Sequence, residues 1–205
     1  SVRVGTPAAA RAAIDAGADT VYVGGEAFRP QRPWTLRDYE ALVRDAAGRA
    51  HIIVNTPRTT MRRECGELEQ FFTALNDIGV DGIMVGNLGT LKLARTLTKL
   101  PIQADHSFNL FNHLAAAFLK ENGLTMATAS YELSFRQLRE IVENAVLPIE
   151  AATGALRRSP VAKAGPYRPN LQTRSGLRCS TRAQAVRFLG RRVVPLSRSR
   201  RLAVS

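Results

Sequence analysis

The sequence predicts an α/β fold, an incomplete (β/α) barrel with about seven parallel strands, followed by a basic, disordered tail. Two observations predict the barrel. Short apolar runs rich in β-branched residues alternate with longer amphipathic segments, and several of the helical segments end on the same residue pattern. A third observation predicts the tail, because all 17 acidic residues lie before position 151.

The predicted strands are short runs that suit burial on both faces of a parallel sheet. In chain order they are Arg3-Val4, Thr20 to Val23, His51 to Val54, Gly82 to Val85, Pro101 to Ala104, Met126 to Ala129 and Leu147 to Ile149. With about six helices between them, they come close to an eight-stranded barrel that lacks its last part. A doubly wound open sheet would show the same alternation, so both architectures remain open at this point.

Local signals mark where the helices begin and end. Thr6-Pro7 offers an N-cap followed by proline, Thr35 precedes another helical segment, and Ser134 with Gln137 has the spacing of a capping box. Three helices end on a glycine followed by one apolar and one polar residue, at Gly17, Gly79 and Gly123. Glycine at this place can adopt the left-handed conformation that stops a helix. The repeat predicts βα units of roughly 20 to 30 residues.

Charge divides the chain into a domain of residues 1–150 and a basic tail of residues 151–205. Of the 29 basic residues, 16 accompany the acidic residues in the domain, which gives a net charge of −1 there and +13 in the tail. The tail shows no strand and helix alternation, apart from one short predicted helix over 183–189. We hypothesise that the tail is translated out of frame, because GC-rich arginine codons read one base later encode acidic and small residues.

Other compositional features exclude some classes of protein. No apolar run approaches the roughly 20 residues of a membrane-spanning helix, and no signal peptide is recognisable. The expectation is therefore a cytoplasmic protein without membrane contact. The two cysteines, Cys65 and Cys179, have neither the number nor the spacing of a disulfide framework or a metal site, so no metal ligands are predicted.

Candidate site residues follow the predicted strands, since ligands of α/β proteins bind beyond the carboxyl ends of the strands. They are Gly24, Gly25, Asn55, Asn87, Asp105, His106, Asn109 and Glu132. Each also has an ordinary structural interpretation: a tight turn for the glycines, capping or turns for the asparagines, and solvation or capping for the carboxylates. No complete catalytic motif is present, and the catalytic residues stay unknown.

At the same strand ends, the domain resembles the N-terminal half of the collagenase-like peptidases, peptidase family U32. The segments that carry the resemblance are 13–25 (AIDAGADTVYVGG), 54–56 (VNT), 75–85 (LNDIGVDGIMV), 103–109 (QADHSFN) and 131–134 (YELS). The resemblance covers residues 1 to about 150 and adds Gln103 to the candidate substrate-binding residues. It implies a TIM-like barrel.

The resemblance also implies function. Family members carry a peptidase label or take part in hydroxylation of RNA bases or of a quinone precursor, with an iron–sulfur cluster. The cysteine-rich region that follows the strand at Leu147 to Ile149 in the family has no match here, so cluster ligands are absent from this chain. The expectation is a truncated, inactive family member whose substrate, a peptide, an RNA or a small molecule, is unknown.

Two other functions are consistent with the residues. The basic tail could bind nucleic acid nonspecifically by neutralising phosphates, although Tyr167 and Phe188 are its only aromatic residues. A complete small α/β enzyme could instead hold a phosphate at Gly24-Gly25 or at Gly86. The second alternative requires the tail to fold as the last strand and helix, for which 191–196 (RRVVPL) is a poor strand sequence.

Overall fold

A computed structural model describes residues 1–25 and 34–152, together with the backbone of two strands at 185–189 and 192–194. Seven parallel strands follow the chain in order: β1 (Val2–Val4), β2 (Thr20–Gly24), β3 (His51–Asn55), β4 (Gly82–Val85), β5 (Ile102–Ala104), β6 (Met126–Thr128) and β7 (Ile149–Ala152). Each predicted strand has an observed counterpart, although β7 begins only at Ile149, the last residue of the strand predicted at Leu147 to Ile149. Since β7 runs to Ala152, the last parallel strand extends two residues past the predicted domain boundary.

The strand order decides between the two architectures. Each parallel strand pairs with its neighbours in sequence, β1-β2-β3-β4-β5-β6-β7. A doubly wound sheet reverses direction at its first strand and puts helices on both faces, whereas a sequential order is that of a barrel. Across the described residues, the sheet forms part of a barrel whose first and last strands do not pair with each other.

Six helices connect the parallel strands: α1 (Pro7–Asp15), α2 (Leu36–Ala46), α3 (Cys65–Ile78), α4 (Leu88–Leu97), α5 (His113–Glu121) and α6 (Phe135–Asn144). The predicted caps are confirmed: Thr6 accepts from the Ala9 N–H at 3.2 Å, and Thr35 and Ser134 form capping boxes. Gly17, Gly79 and Gly123 have φ of 81°, 77° and 84°, the predicted left-handed conformation. Short 3-10 helices precede α3 and α5, at Arg62–Glu64 and His106–Phe108.

The core has two parts, because side chains alternate between the faces of a strand. The outer face of the sheet packs against the helices, with Phe72, Leu75 and Leu42 fully buried there. The inner face holds a small separate apolar cluster of Tyr22, Ile53, Met84 and Met126. The same face also carries polar side chains, which is unusual for the packed interior of a barrel.

The sheet continues past β7 with two antiparallel strands, β8 (Ala185–Leu189) and β9 (Arg192–Val194). The helix predicted over 183–189 is therefore wrong for residues 185–189. The physical reason is that β7 presents an edge of unpaired N–H and C=O groups, which a neighbouring extended segment satisfies better than an isolated helix does. The prediction of a disordered tail rests mostly on residues that lie outside the described ones, namely 153–184, 190–191 and 195–205.

None of the helices in the described part of the chain has the length and apolar character that spanning a membrane requires.

Candidate functional site

Polar side chains from distant strands meet inside the curved sheet. Arg3 on β1, Tyr22 on β2 and Gln103 on β5 lie at the centres of strands and face inward. Asp105 directly follows β5, and Glu150 is the second residue of β7. The sheet is curved strongly enough that the Tyr22 hydroxyl donates to Glu150 Oε2 at 2.8 Å, from β2 to β7. A polar site therefore exists within the half-barrel, between the middle of its strands and the carboxyl end of β5.

An ion pair joins the first strand to the fifth. Arg3 Nη2 donates to Asp105 Oδ1 at 2.9 Å, and the Asp105 side chain is only 7 % exposed. Burial disfavours both charged forms, but the mutual attraction outweighs it: the pKa of Asp105 lies below its usual value and the pKa of Arg3 above it. Both groups are charged at neutral pH.

His106 contacts this ion pair, and its side chain is 18% exposed. Its Nδ1 is 2.7 Å from Asp105 Oδ1, which fixes the tautomer with Nδ1 protonated. The other ring nitrogen, Nε2, then accepts from Arg58 Nη1 at 3.4 Å. The ring of Tyr131 stacks on the His106 ring with centroids 4.2 Å apart and planes 20° from parallel. We call Arg3, Asp105, His106, Arg58 and Tyr131 the site network.

A second group of hydrogen bonds, separate from the site network, surrounds Glu150. This carboxylate is 4 % exposed and accepts from the Tyr22 hydroxyl and from Ser1 Oγ, the latter at 2.7 Å. The Tyr22 hydroxyl also lies 3.3 Å from Gln103 Oε1. Among the side chains that the structure describes, only neutral hydroxyls donate to this buried carboxylate, which can also accept from a donor on a ligand.

The structure brings some predicted site residues together and not others. Gln103, Asp105 and His106 lie in or beside the two hydrogen-bonded groups. Asn87 caps α4 through the Thr90 N–H and donates to the Arg58 carbonyl at 3.0 Å, so it supports the loop that carries Arg58. Asn109 is exposed in a left-handed turn, and Glu132 is exposed in the loop after β6.

The remaining predicted residues lie at the ends of β2 and β3. Asn55 is 7 % exposed, and its buried Oδ1 has no hydrogen-bond partner among the described residues. Gly24 and Gly25 have φ of 76° and 80°, and both lie directly against Asn55. These two glycines make a turn that only residues without a side chain adopt easily, which is the structural interpretation weighed above.

The candidate site residues did not include Arg3, Tyr22, Glu150, Arg58 or Tyr131, although Arg58 and Tyr131 lie in segments that directly follow predicted strands. A signal existed for the first two, because a single polar or amphipathic residue stands between two valines in 2–4 (VRV) and 21–23 (VYV). Period two then places the valines against the helices and the central residue inside the barrel. Arg58 and Tyr131 lie in loops, where no periodicity indicates direction.

A substitution at Gly24 tests how tightly this part of the structure is packed. An alanine Cβ there would lie 2.5 Å from the hydroxyl of the buried Tyr39, whereas Gly48, with φ of 74°, has open space around it. Gly48→Ala should cost about 1 kcal/mol through backbone strain alone. Gly24→Ala should cost about 2 kcal/mol, because overpacking adds to that strain. Urea unfolding measures both, and equal losses would contradict the close approach.

The residues described do not fit an iron–sulfur cluster or another bound metal. No group of three or more His, Cys, Asp or Glu side chains comes together anywhere in the described part of the chain. Cys65 lies at the start of α3 with its thiol 3.7 Å from the Met61 carbonyl, and Cys179 lies outside the described residues. A cluster usually requires four thiolates.

Comparison with known proteins gives consistent results. The model of peptidase family U32 matches residues 5–156. The 23S rRNA 5-hydroxycytidine C2501 synthase of Escherichia coli (strain K12) is 31% identical over 137 residues, which are 65% of this chain and 21% of that protein. An uncharacterized protease of Methanocaldococcus jannaschii is 29% identical over 140 residues, 65% of this chain and 33% of that protein. The chain thus spans a fifth to a third of the length of these curated relatives.

A solved structure shares the fold. The U32 peptidase Mk0906 superposes with a TM-score of 0.55 at 20% identity, over 70% of this chain and 64% of that one. The family match extends over most of the chain and ends four residues after the last parallel strand. This chain is a member of peptidase family U32.

Proposed function

We propose that the domain of residues 1–152 is the base-binding part of an enzyme that modifies RNA bases. The observation that carries the proposal is the site network, in which a stacked aromatic pair lies beside two arginines and a buried carboxylate. Stacking surfaces and fixed hydrogen-bonding groups together suit a small planar ligand with both donors and acceptors. The relative that acts on a cytidine of 23S rRNA makes cytosine the first base to test.

The chemistry of cytosine matches the groups that the site offers. Its exocyclic amine is a donor that a carboxylate accepts well, and its ring acceptors suit an arginine. Among the described side chains, only neutral groups donate to Glu150, and Arg58 extends from the loop after β3 to the His106 ring. Tyr131 stacks on His106 and is 54% exposed, so part of its ring is accessible to a ligand.

The same geometry is less suited to peptide hydrolysis. An Asp105–His106 pair resembles part of a hydrolase triad, in which the second ring nitrogen activates a hydroxyl or thiol. Here Arg58 Nη1 lies 3.4 Å from that nitrogen, in the place of a nucleophile. An arginine cannot act as a nucleophile or give up a proton at neutral pH.

We further propose that this chain binds a base without transforming it. Support comes from its two cysteines, which are too few for the cluster that the family resemblance implies. The out-of-frame origin of residues 151–205 belongs to the same proposal. Sequencing the encoding DNA through the Glu150 codon tests it, and another reading frame that encodes several cysteines would restore the cluster ligands.

Binding of free cytidine tests the base-binding function. Cytidine carries no phosphate, so attraction to the basic tail does not contribute to its affinity. Tyr131→Ala should weaken binding by roughly 5- to 100-fold through lost stacking, and Arg58→Gln by about tenfold. Arg139→Gln, at an exposed arginine on α6, is the matched control and should bind normally. Isothermal titration calorimetry measures the affinities.

Two outcomes would contradict the base-binding proposal. One is that both site variants bind cytidine as tightly as the Arg139→Gln control. The other is that the chain cleaves casein at a rate that Arg58→Gln or Tyr131→Ala abolishes, which would make the site that of a peptidase.

Nonspecific nucleic-acid binding by the basic tail is the second candidate. The net charge of +13 in residues 151–205 favours it. Such binding would be insensitive to sequence and would weaken steeply with salt, whereas binding of uncharged cytidine would not.

A further inference from the structure

Exposed apolar side chains concentrate on one face of the molecule. Of the nine large apolar side chains that are exposed within the described residues, seven lie in loops that follow strands or in the first turn of the next helix. They are Leu36, Met61, Leu88, Phe111, Leu114, Tyr131 and Phe135. These positions surround the carboxyl ends of the strands, where the site network opens. Clustered exposed apolar groups of this kind mark an interaction surface.

Three of these side chains are aromatic and come from two neighbouring loops. Phe111 lies in the loop between β5 and α5, Tyr131 in the loop between β6 and α6, and Phe135 is the first residue of α6. A backbone bridge between Leu110 and Ala129 holds the two loops together, with the Ser130 N–H donating to the Leu110 carbonyl at 3.3 Å. We call Phe111, Tyr131 and Phe135 the aromatic platform.

Arginines flank the aromatic platform. Arg136 directly follows Phe135 on α6, and Arg58 contacts the ring on which Tyr131 stacks. Arg62 and Arg63 lie in the same connection as Arg58, and the Arg63 side chain is 84% exposed. Exposed aromatic rings alternating with guanidinium groups bind single-stranded nucleic acid, because bases stack on the rings while the cations meet the phosphates.

We propose that the aromatic platform binds the unpaired RNA nucleotides that flank the base held by the site network. This proposal rests on the proposed function, and it specifies single-stranded RNA as the molecule that carries the base to the site. A protein partner would also cover apolar groups, but it would not require the arginines that accompany two of the three aromatic residues, Phe135 and Tyr131. The occupant that matches both the rings and the charges is single-stranded RNA.

Phe135→Ala tests the platform, with Phe118→Ala as the matched control. Phe135 is 75% exposed on the platform, and Phe118 is 53% exposed on α5 outside it. Binding of an oligoadenylate with one central cytidine is followed by fluorescence anisotropy with the full chain. Phe135→Ala should weaken this binding roughly 5- to 100-fold, Phe118→Ala should leave it within about twofold, and both variants should bind free cytidine like the wild type.

The salt dependence of RNA binding distinguishes the contribution of the platform from that of the basic tail. Raising the salt concentration weakens the tail's attraction to phosphate, but the ratio between wild-type and Phe135→Ala affinities should persist because stacking involves no counterion release. A ratio that falls to one at high salt would overturn the proposal.

The remaining outcomes also decide. Equal RNA affinities for Phe135→Ala and Phe118→Ala would overturn the platform. A change of oligomeric state in Phe135→Ala without loss of RNA binding would also overturn it, because that result would show a protein interface. If Phe135→Ala weakens RNA binding while free cytidine binds independently of Tyr131, the platform stands and the proposed base site fails. Absence of RNA binding by the wild type would overturn the platform, whereas cytidine binding that depends on Tyr131 would leave the base site standing.

Discussion

Phe72→Ala is expected to lower the free energy of unfolding by about 3 to 5 kcal/mol, the range for truncating a fully buried aromatic side chain. Phe72 on α3 is 0% exposed and packs between the helices and the outer face of the sheet, beside Phe71 at a ring separation of 6.4 Å. The loss combines the transfer free energy of the ring with the cavity that it leaves.

Such a loss is large for this molecule. Domains of this size are stable by only about 5 to 15 kcal/mol, and a half-barrel has fewer interstrand contacts than a closed one. Urea unfolding followed by circular dichroism should show a lower midpoint with an unchanged slope. Phe118→Ala, at an exposed phenylalanine, should stay within about 0.5 kcal/mol of the wild type. A loss no larger for Phe72→Ala than for Phe118→Ala would contradict the assigned core.

Asp105→Ala is expected to cost about 2 to 3 kcal/mol at pH 7. Removing one partner of a fully buried ion pair costs about 3 to 5 kcal/mol, because the remaining charge is left uncompensated. The effect is smaller here since the Arg3 side chain is 40% exposed and can be partly hydrated. Asp45→Ala, which breaks the exposed pair of Asp45 with Arg11, is the control and should cost about 0.5 kcal/mol or less.

The cost of Asp105→Ala should also depend on pH. The pKa of Asp105 in the folded protein lies below its value in the unfolded chain, about 3.9, so its stabilisation is complete above pH 4 to 5 and is lost as pH falls through the folded-state pKa. The difference between wild type and variant should therefore shrink as the pH is lowered below about 4. A difference that is constant from pH 7 to pH 3 would show that the loss comes from packing rather than from the ion pair.

The fold was predictable because its signals are local. Thr35 and Ser134 begin helices through side-chain contacts three residues away, and the alternation of strands and helices follows from short segments. Predicting the strand order required the resemblance to a barrel family, since the same local pattern also suits a doubly wound sheet.

The site was only partly predictable because its contacts are distant in sequence. Asp105 and His106 could be selected as strand-end residues, but the partner of Asp105 on β1 is 102 positions away. Glu150 reaches Tyr22 only because the sheet curves. Arg58 is placed by its backbone packing against Gly86, where a Cβ would lie 2.7 Å from the Arg58 Cα. Curvature and loop packing are tertiary properties that no short segment encodes.

The central claim is that a base binds at the site network, and an NMR titration of the histidine rings with cytidine tests it most directly. The protein has three histidines, His51, His106 and His113, and the substitutions His106→Gln and His51→Gln identify the signals of those two residues. We predict saturable shifts of the His106 ring signals, because a base stacked at Tyr131 would lie beside that ring. His51 lies at the amino end of β3, away from the site network, and its ring signals should not shift. Binding of cytidine that leaves the His106 signals unchanged would contradict the account.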